Sequence, residues 1–553
     1  MIKEQPVNWI IQRIERRIPA ILLMTAAHVG HALLCVVFAL GTRGVIDAAV
    51  AGEKTAFLKA CITQAEIIAG ILICLTIFRH LNDRIAADLE KDWKKDLLHG
   101  LLHGEYAQVS RYHSAELLNR LNNDVAKVND GVLWVLPSAA SMLTRVISAV
   151  VVLYSMEPRF TLLVLLLGVV VLVVTAQMRR KLKNLNKLVS EHDGKVSGFL
   201  QETMEKLLLV QAMDVSTEVE RRTDVLLENR YEIQRRRKNV SLFANTSVSI
   251  MSYGAGFLAL IWCSGRLMLG QMTFGGLTAV TQLVNQIQSP FVNLSGILPR
   301  YIAMIAAAER LMELEAIQGE PAPAGEKPEA LYENMQLLCA ENLSFSYDRD
   351  QILIDVEFSL PKGAFAVITG PSGIGKSTLL KLLLGVFRPE TGNLHLKCEE
   401  KTVILDRSTR RLFAYVPQGN LLFSGSLREN LSIVNVDATE EEIRQALYVS
   451  AMDEFLPQLP QGLDTVLGES GEGLSEGQAQ RLAIARAVLG GAPILLLDEC
   501  TSALDSDTEH KVLERLKALP GRTCIAVTHR PAALSLCDYR LEVEHGKIHV
   551  VKV

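Results

Sequence analysis

The sequence predicts a multidomain chain: an all-α bundle of six membrane-spanning helices, followed by an α/β domain. Three observations predict it. Six apolar runs, each long enough to cross a bilayer, occupy the N-terminal part of the 553 residues. Further along, short β-like runs bounded by turn residues alternate with helical stretches, the pattern of an α/β domain. Between the two lies IQGEPAPAGEKPEA, whose Pro, Gly and Glu content reads as a linker. The expected divisions are residues 1–316, a linker at 317–332, and 333–553. Composition agrees, because 49% hydrophobic with 21% charged residues suits one part in lipid and one in water.

Residues 1–17 read as an amphipathic helix lying on a membrane surface, with Val7, Ile10, Ile11 and Ile14 set against Lys3, Arg13, Arg16 and Arg17. Charges flank this short apolar stretch and no small-residue cleavage site follows, so a removable signal peptide is not expected. Spans are expected at about 19–41, 58–79, 132–156, 159–178, 242–264 and 273–297. Between them, 80–131 and 179–241 are long, charged and poor in turn residues, and are expected to carry their helices out of the bilayer. Lys91, Lys94, Lys95, Arg179, Arg180, Lys181, Lys183 and the run Arg235, Arg236, Arg237, Lys238 crowd these stretches. The positive-inside rule then puts them, both termini and the α/β domain in the cytoplasm, with the chain multi-pass in the cell inner (plasma) membrane.

Net charge is -4 and there is no basic stripe, so nucleic acid is not an expected partner. The nine cysteines form no CxxC pair, which argues against a disulfide framework or a zinc site.

Chemistry concentrates in the α/β part. Gly370-Pro371-Ser372-Gly373-Ile374-Gly375-Lys376-Ser377 follows the apolar run Phe365–Thr369 and precedes a helix starting near Thr378. Glycines let backbone amides close around phosphates, and the helix N-terminus adds positive potential. Lys376 is expected at the outer phosphates and Ser377 on Mg²⁺. The run Ile494–Leu497 ends in Asp498 and Glu499, a buried strand delivering two acids to its C-terminal edge. Asp498 would support Mg²⁺, and Glu499 would orient or deprotonate water for phosphoryl transfer.

Leu474-Ser475-Glu476-Gly477-Gln478, followed by a helix, completes a resemblance to the ATP-binding cassette (ABC) exporters, in particular bacterial multidrug and lipid half-transporters. The usual signature is LSGGQ, so Glu476 is a departure, as is Cys500 where relatives carry a small residue. The resemblance implies a membrane domain of ABC exporter type fused to an α/β P-loop ABC ATPase domain. It also implies ATP bound by Tyr347, Gly370, Ser372, Gly373, Gly375, Lys376, Ser377 and Thr378, with Tyr347 stacking on adenine. Ser475, Gly477, Gln478 and Asp505 would bind ATP at the interface with a second cassette, Ser475 and Gly477 contacting the γ-phosphate of the ATP that the opposite cassette holds. Gln418 in YVPQ would join Ser377 and Asp498 at Mg²⁺, and His529 in AVTHR would meet the γ-phosphate; with Glu499 these make the catalytic set. The second half-transporter is expected to be an identical copy, with a heterodimer left open.

Ala115–Val125 resembles a cytoplasmic segment of these exporters near the first coupling helix, and residues near 205–215 sit where the second would fall. Gly468-Glu469-Ser470-Gly471 resembles a further exporter segment. For the cargo, an amphiphilic small molecule, a lipid or a peptide, the candidate cavity residues are Arg145, Glu66, His28 and His31. Arg145 and Glu66 lie at comparable depths and are expected either to pair or to face the substrate. An importer or lipid flippase built on the same fold is the alternative function.

Overall fold

The computed structural model describes residues 4–320, 328–347, 350–399, 401–419, 422–468 and 471–553. Helix α1 is Glu4–Ile14, α2 Ile18–Ala51 and α3 Lys54–His103, followed by the short α4 (Tyr106–Val109) and α5 (Ser114–Asn119). Then come α6 (Val125–Met156), α7 (Pro158–Glu205), the short α8 (Leu207–Ala212), α9 (Ser216–Met268) and α10 (Phe274–Glu315). Each of the six expected spans coincides with part of one of α2, α3, α6, α7, α9 and α10, the last starting at Thr273, the cap of α10. Helix α3 has 50 residues, hence a length of about 75 Å against a hydrocarbon core of about 30 Å. It and the comparably long α7 and α9 therefore run well beyond the bilayer, as their charged C- or N-terminal halves imply.

The chain divides into two compact units. The first comprises 1–99 and 114–316. In it α10 packs on α2, α6 and α9, while α7 packs along α9. Its core joins Val36 and Ala39, Ala149 and Leu153, Phe160 and Val164, Ala255 and Ala259, and Val280 and Leu283. The alanines let helices approach closely, which is how helices associate where lipid removes the hydrophobic drive. Leu58, Ile62, Leu72 and Ile73 on the apolar stretch of α3 stay exposed, a face for lipid or a second protein.

The stretch Ala115–Val125 belongs to this first unit. It ends in a π-helical turn, Arg120–Asp124, whose charges turn towards α10. Asp124 is fully buried and accepts from Arg310 Nε and Nη2, both at 2.7 Å, and from Lys127 Nζ at 3.2 Å. Arg120 donates to the Arg310 carbonyl at 2.7 Å and to Glu313 at 3.0 Å. These charges are satisfied within the bundle. By contrast, α8 sits where the second coupling segment is expected and exposes Leu207, Leu208 and Leu209.

The second unit comprises 100–113 and 317–553. It begins with α11 (Pro328–Glu333), β1 (Met335–Tyr347), β2 (Asp350–Pro361), β3 (Phe365–Thr369) and α12 (Lys376–Leu383). Next are β4 (Thr391–Cys398), β5 (Thr402–Ile404), β6 (Phe413–Val416), β7 (Gly425–Ser426), α13 (Leu427–Ser432), α14 (Glu440–Val449) and β8 (Val466–Leu467). The last are α15 (Glu476–Leu489), β9 (Ile494–Asp498), α16 (Ser506–Lys517), β10 (Thr523–Val527), α17 (Pro531–Leu536), β11 (Tyr539–Glu544) and β12 (Lys547–Lys552).

Two larger sheets result, one antiparallel in the order β2-β1-β4-β5 and one in the order β12-β11-β3-β10-β9-β6. In the latter, β11, β3, β10, β9 and β6 run parallel. Every residue of β9 and β10 is buried, which is why both read as continuous apolar runs rather than alternating ones.

The expected linker is structured at both ends, while 321–327 lie outside the described residues. Gly319 bridges Gly104, Glu105 N donates to the Gln318 carbonyl at 2.9 Å, and Glu320 N donates to the His103 carbonyl at 2.8 Å. The Glu320 carboxylate takes both Arg410 Nη atoms at 3.0 Å. Beside it, Arg388 pairs with Glu105 at 3.0 Å and Phe387 meets Tyr106 edge-on at 5.8 Å. These contacts bring α4 into the second unit.

Candidate active site

Strand β3 ends at Thr369, and the chain turns through the glycine loop into α12. Gly370 and Gly375 hold φ of 145° and 107°. A Cβ would lie 2.6 Å from the Val543 carbonyl at Gly370 and 2.5 Å from Ile352 Cγ2 at Gly375, so only glycine fits. Ser372 and Gly373 are exposed at the loop tip. Lys376 is only 5% exposed and folds its ammonium back onto the Gly370 and Pro371 carbonyls, at 2.7 and 2.9 Å.

Parallel pairing of β9 beside β10, with β10 beside β3, brings two acids to the same sheet edge as this loop. Ser377 Oγ donates to Asp498 Oδ1 at 3.0 Å, and Gln418 Nε2 donates to Glu499 Oε2 at 2.7 Å. Tyr415, on the neighbouring β6, donates its hydroxyl to Asp498 Oδ2 at 3.1 Å. Burial pushes the Asp498 carboxyl above its ordinary range, against the pull of the Ser377 and Tyr415 hydroxyls. Burial likewise raises Tyr415, helped by the charge of Asp498, so Tyr415 stays a donor. Tyr347 lies edge-on to Phe345 and Phe387, at 4.9 and 5.4 Å, and accepts from Thr378 Oγ1 at 3.4 Å. His529 follows β10 and is exposed.

The signature residues form a separate constellation. Ser475 caps α15: its Oγ accepts from Gln478 N at 3.3 Å, while Gln478 Oε1 accepts from Ser475 N at 2.8 Å. Gly477 is required by the Ala503 carbonyl, 2.9 Å from where a Cβ would stand. Asp505 caps α16, accepting from Thr508 N at 3.0 Å. Among the described residues, no hydrogen bond joins Ser475, Gly477 or Gln478 to the phosphate loop, Asp498 or Glu499.

Sequence reasoning missed three side chains that set this geometry. Tyr415 is one, signalled only by the aromatic in YVPQ. Gln480 bridges α15 to Ser502 Oγ and Ala503 N, both at 3.0 Å. Arg530 donates to the Leu504 carbonyl at 2.7 Å and to Glu509 at 3.2 Å, pinning the loop before Asp505. Burial pushes the Cys500 thiol up to about 12, so it packs and does not react. Glu469 and Ser470 lie outside the described residues.

The ABC transporter model matches residues 353–502, and the ABC transporter transmembrane region model matches residues 18–291. The chain belongs to the ABC transporters. It is a fused half-transporter of the exporter type that couples ATP hydrolysis to transport across a membrane. A probable ABC transporter ATP-binding/permease protein of Haemophilus influenzae is 27% identical over 89% of this chain and 87% of its own length. An ATP-dependent lipid A-core flippase of Desulfotalea psychrophila is 28% identical over 84% of this chain and 82% of its own. The solved structure of a bacterial Atm1-family ABC exporter with ATP bound shares the fold, with a TM-score of 0.78 and 22% identity, covering 98% of this chain and 95% of that one.

Within the membrane part of this ABC transporter, Arg145 on α6 donates to Ser289 Oγ on α10 at 3.4 Å. His28 and His31 on α2 stack at 5.9 Å. Arg145 Nε, both His Nδ1 atoms and Gln288 Nε2 are buried without a partner. Glu66 does not join them: among the described residues no ion pair links it to Arg145. On α3, Gln64 faces α2, donating to Thr42 Oγ1 at 3.2 Å. Two residues later is about 200° round the helix, so Glu66 points away and is exposed.

Proposed function

We propose that two copies of this chain form a homodimeric exporter with two composite ATP sites. It would move an amphiphile bearing an anionic or hydrogen-bond-accepting group out of the cytoplasm, or out of the inner leaflet, of the cell inner membrane. The observation that carries the proposal is the pairing of Ser377 with Asp498 beside that of Gln418 with Glu499. Phosphate loop, acids and signature are all present, which favours two working sites over a degenerate one. A signature with no bond to its own phosphate loop supports a site completed by Ser475 and Gly477 of the partner subunit.

The Ser377 hydroxyl, the Asp498 carboxylate and the side-chain oxygen of Gln418 are hard donors that fit Mg²⁺. Bound there, Mg²⁺ would neutralise charge on the β- and γ-phosphates. Lys376 exchanges the Gly370 and Pro371 carbonyls for those phosphates, and Tyr347 stacks on adenine. Glu499, oriented by Gln418, takes the proton of the attacking water, and His529 contacts the γ-phosphate. Closure of the two cassettes around ATP favours one arrangement of the membrane helices by its differential binding free energy, and hydrolysis releases it. Arg145, His28, His31 and Gln288 hold the polar group of the cargo, because their unpartnered nitrogens are costly in the bilayer unless a ligand answers them.

Reconstitution into vesicles with the ATPase domain outward tests this. Lipid, drug-like and peptide amphiphiles are screened for stimulation of ATPase and for direction of movement. ATP-dependent accumulation inside is expected, absent in E499Q; ATP-driven release to the ATPase side overturns the direction.

A further inference from the structure

The last residues of α3, 100–103, and the following α4 belong to the ATPase unit, and the first part of the expected linker straps them there. Gly319 bridges Gly104, and Glu320 N donates to the His103 carbonyl at 2.8 Å. The Glu320 carboxylate is only 9% exposed. It accepts from Arg410 Nη1 and Nη2, both at 3.0 Å, and pairs with Arg407 Nε at 3.4 Å. Arg407 also donates to the Glu320 carbonyl. One linker residue is thus bonded through its main chain to the end of α3 and through its side chain to two arginines.

Both arginines sit at a junction of the ATP site. Arg410 Nε donates to the Leu384 carbonyl at 3.1 Å and Arg410 Nη2 to the Gly385 carbonyl at 3.0 Å, the two carbonyls that follow α12. The other end of α12 carries Lys376 and Ser377, and its 8 residues make a bar of about 12 Å. A guanidinium on the final carbonyls complements the negative end of the helix, as phosphate complements its start. Gly385, at a φ of 61°, is packed against the other arm of the junction, since a Cβ there would lie 2.7 Å from the Asp406 carbonyl carbon. Asp406 caps the turn Arg407–Leu412, accepting from Ser408 N at 2.7 Å. That turn runs directly into β6, which presents Tyr415 to Asp498, and Gln418 just beyond β6 holds Glu499.

We propose, resting on the ATP site described above, that Glu320 is a positioning residue for coupling: through Arg407 and Arg410 it makes the end of α3 follow the phosphate loop and the two acids. Phosphate at the loop draws Lys376 off the Gly370 and Pro371 carbonyls and shifts α12. A helix this short moves as one piece, so its far end carries Arg410, and Arg410 carries Glu320 and the main chain bonded to it. The buried carboxylate stays with its arginines, because parting them leaves charge uncompensated. From this joint α3 continues without a break to the apolar stretch 58–79, so the displacement is delivered to a membrane helix.

The test is hydrogen–deuterium exchange of the full-length protein in detergent, with and without Mg²⁺ and a non-hydrolysable ATP analogue. In the wild type, amides of 370–378 and of 103–109 are both expected to exchange about tenfold more slowly with the analogue. E320Q keeps the size of the side chain and loses its charge, and R410Q removes the main partner. Both are expected to keep the slowing at 370–378 while that at 103–109 falls below about twofold. The slowing at 370–378 shows that the variants fold and bind nucleotide; its absence in the wild type removes the ATP-site reading itself. If 103–109 slow as much in both variants as in the wild type, the proposal is overturned and Tyr106 on Phe387 is left as the route, even where exchange is faster overall, since Glu320 is then only a brace. A wild type in which 370–378 slow and 103–109 do not overturns it as well.

Discussion

Gln418 Nε2 lies 2.7 Å from Glu499 Oε2, so the carboxylate that faces water is held by a side chain from a different strand end. Glu499 itself stands at a φ of 47° and donates its N–H to the Val527 carbonyl at 3.0 Å. A non-glycine residue in that region costs about 1–3 kcal/mol, and here the cost aims a carboxylate. Removing its basicity without its shape should separate binding from turnover. E499Q is expected to retain ATP while hydrolysis falls by about 10²-fold or more, read as turnover and bound nucleotide in one preparation. Near-normal hydrolysis would remove Glu499 from its role.

Tyr415 touches Asp498 but has no place on nucleotide. Loss of its hydroxyl should weaken the donor set around Asp498 by about 1 kcal/mol. For Y415F this predicts an Mg²⁺ requirement raised about fivefold with saturated turnover little changed. A fall in turnover at saturating Mg²⁺ would show a different role.

The Asp124–Arg310 pair locks α6 to α10 outside the apolar spans. D124N should destabilise the membrane part by about 2–3 kcal/mol, since it leaves the Arg310 guanidinium without its carboxylate. Burial alone would push the Asp124 carboxyl up, but Arg310 and Lys127 hold it below the usual carboxylate range. A depressed folded value contributes stability that is present above the unfolded value and lost as pH falls through the folded one. The thermal-melting gap between wild type and D124N should therefore be constant near neutrality and close below about pH 4. A gap that persists in acid would mean the pair contributes no charge-dependent stability.

Arg145 has only Ser289 as a hydrogen-bond partner among the described residues. R145A is expected to keep basal ATPase and lose stimulation by cargo, with transport reduced at least tenfold. Intact stimulation and transport would leave Arg145 a helix-packing residue.

What could be read along the chain and what could not divide by distance. Residues 370–378, the acids ending β9 and the residues at the start of α15 are legible because phosphate chemistry needs them contiguous, at a strand–loop–helix turn or a helix cap. The six spans are legible because a bilayer demands long apolar runs, and the length of α3 follows from its lack of breakers. Pairings between remote elements are not. Tyr415 reaches Asp498 across 83 positions and Arg310 reaches Asp124 across 186, and no local pattern selects either partner. Glu66 makes the same point from the other side. Its depth in α3 was readable, but only the packing of Gln64 against α2 turned it away from Arg145. The short α4 joins the ATPase unit, Tyr106 meeting Phe387, for a similar reason. Periodicity sets which residues share a helix face, whereas the neighbour that face meets is set by how whole helices pack.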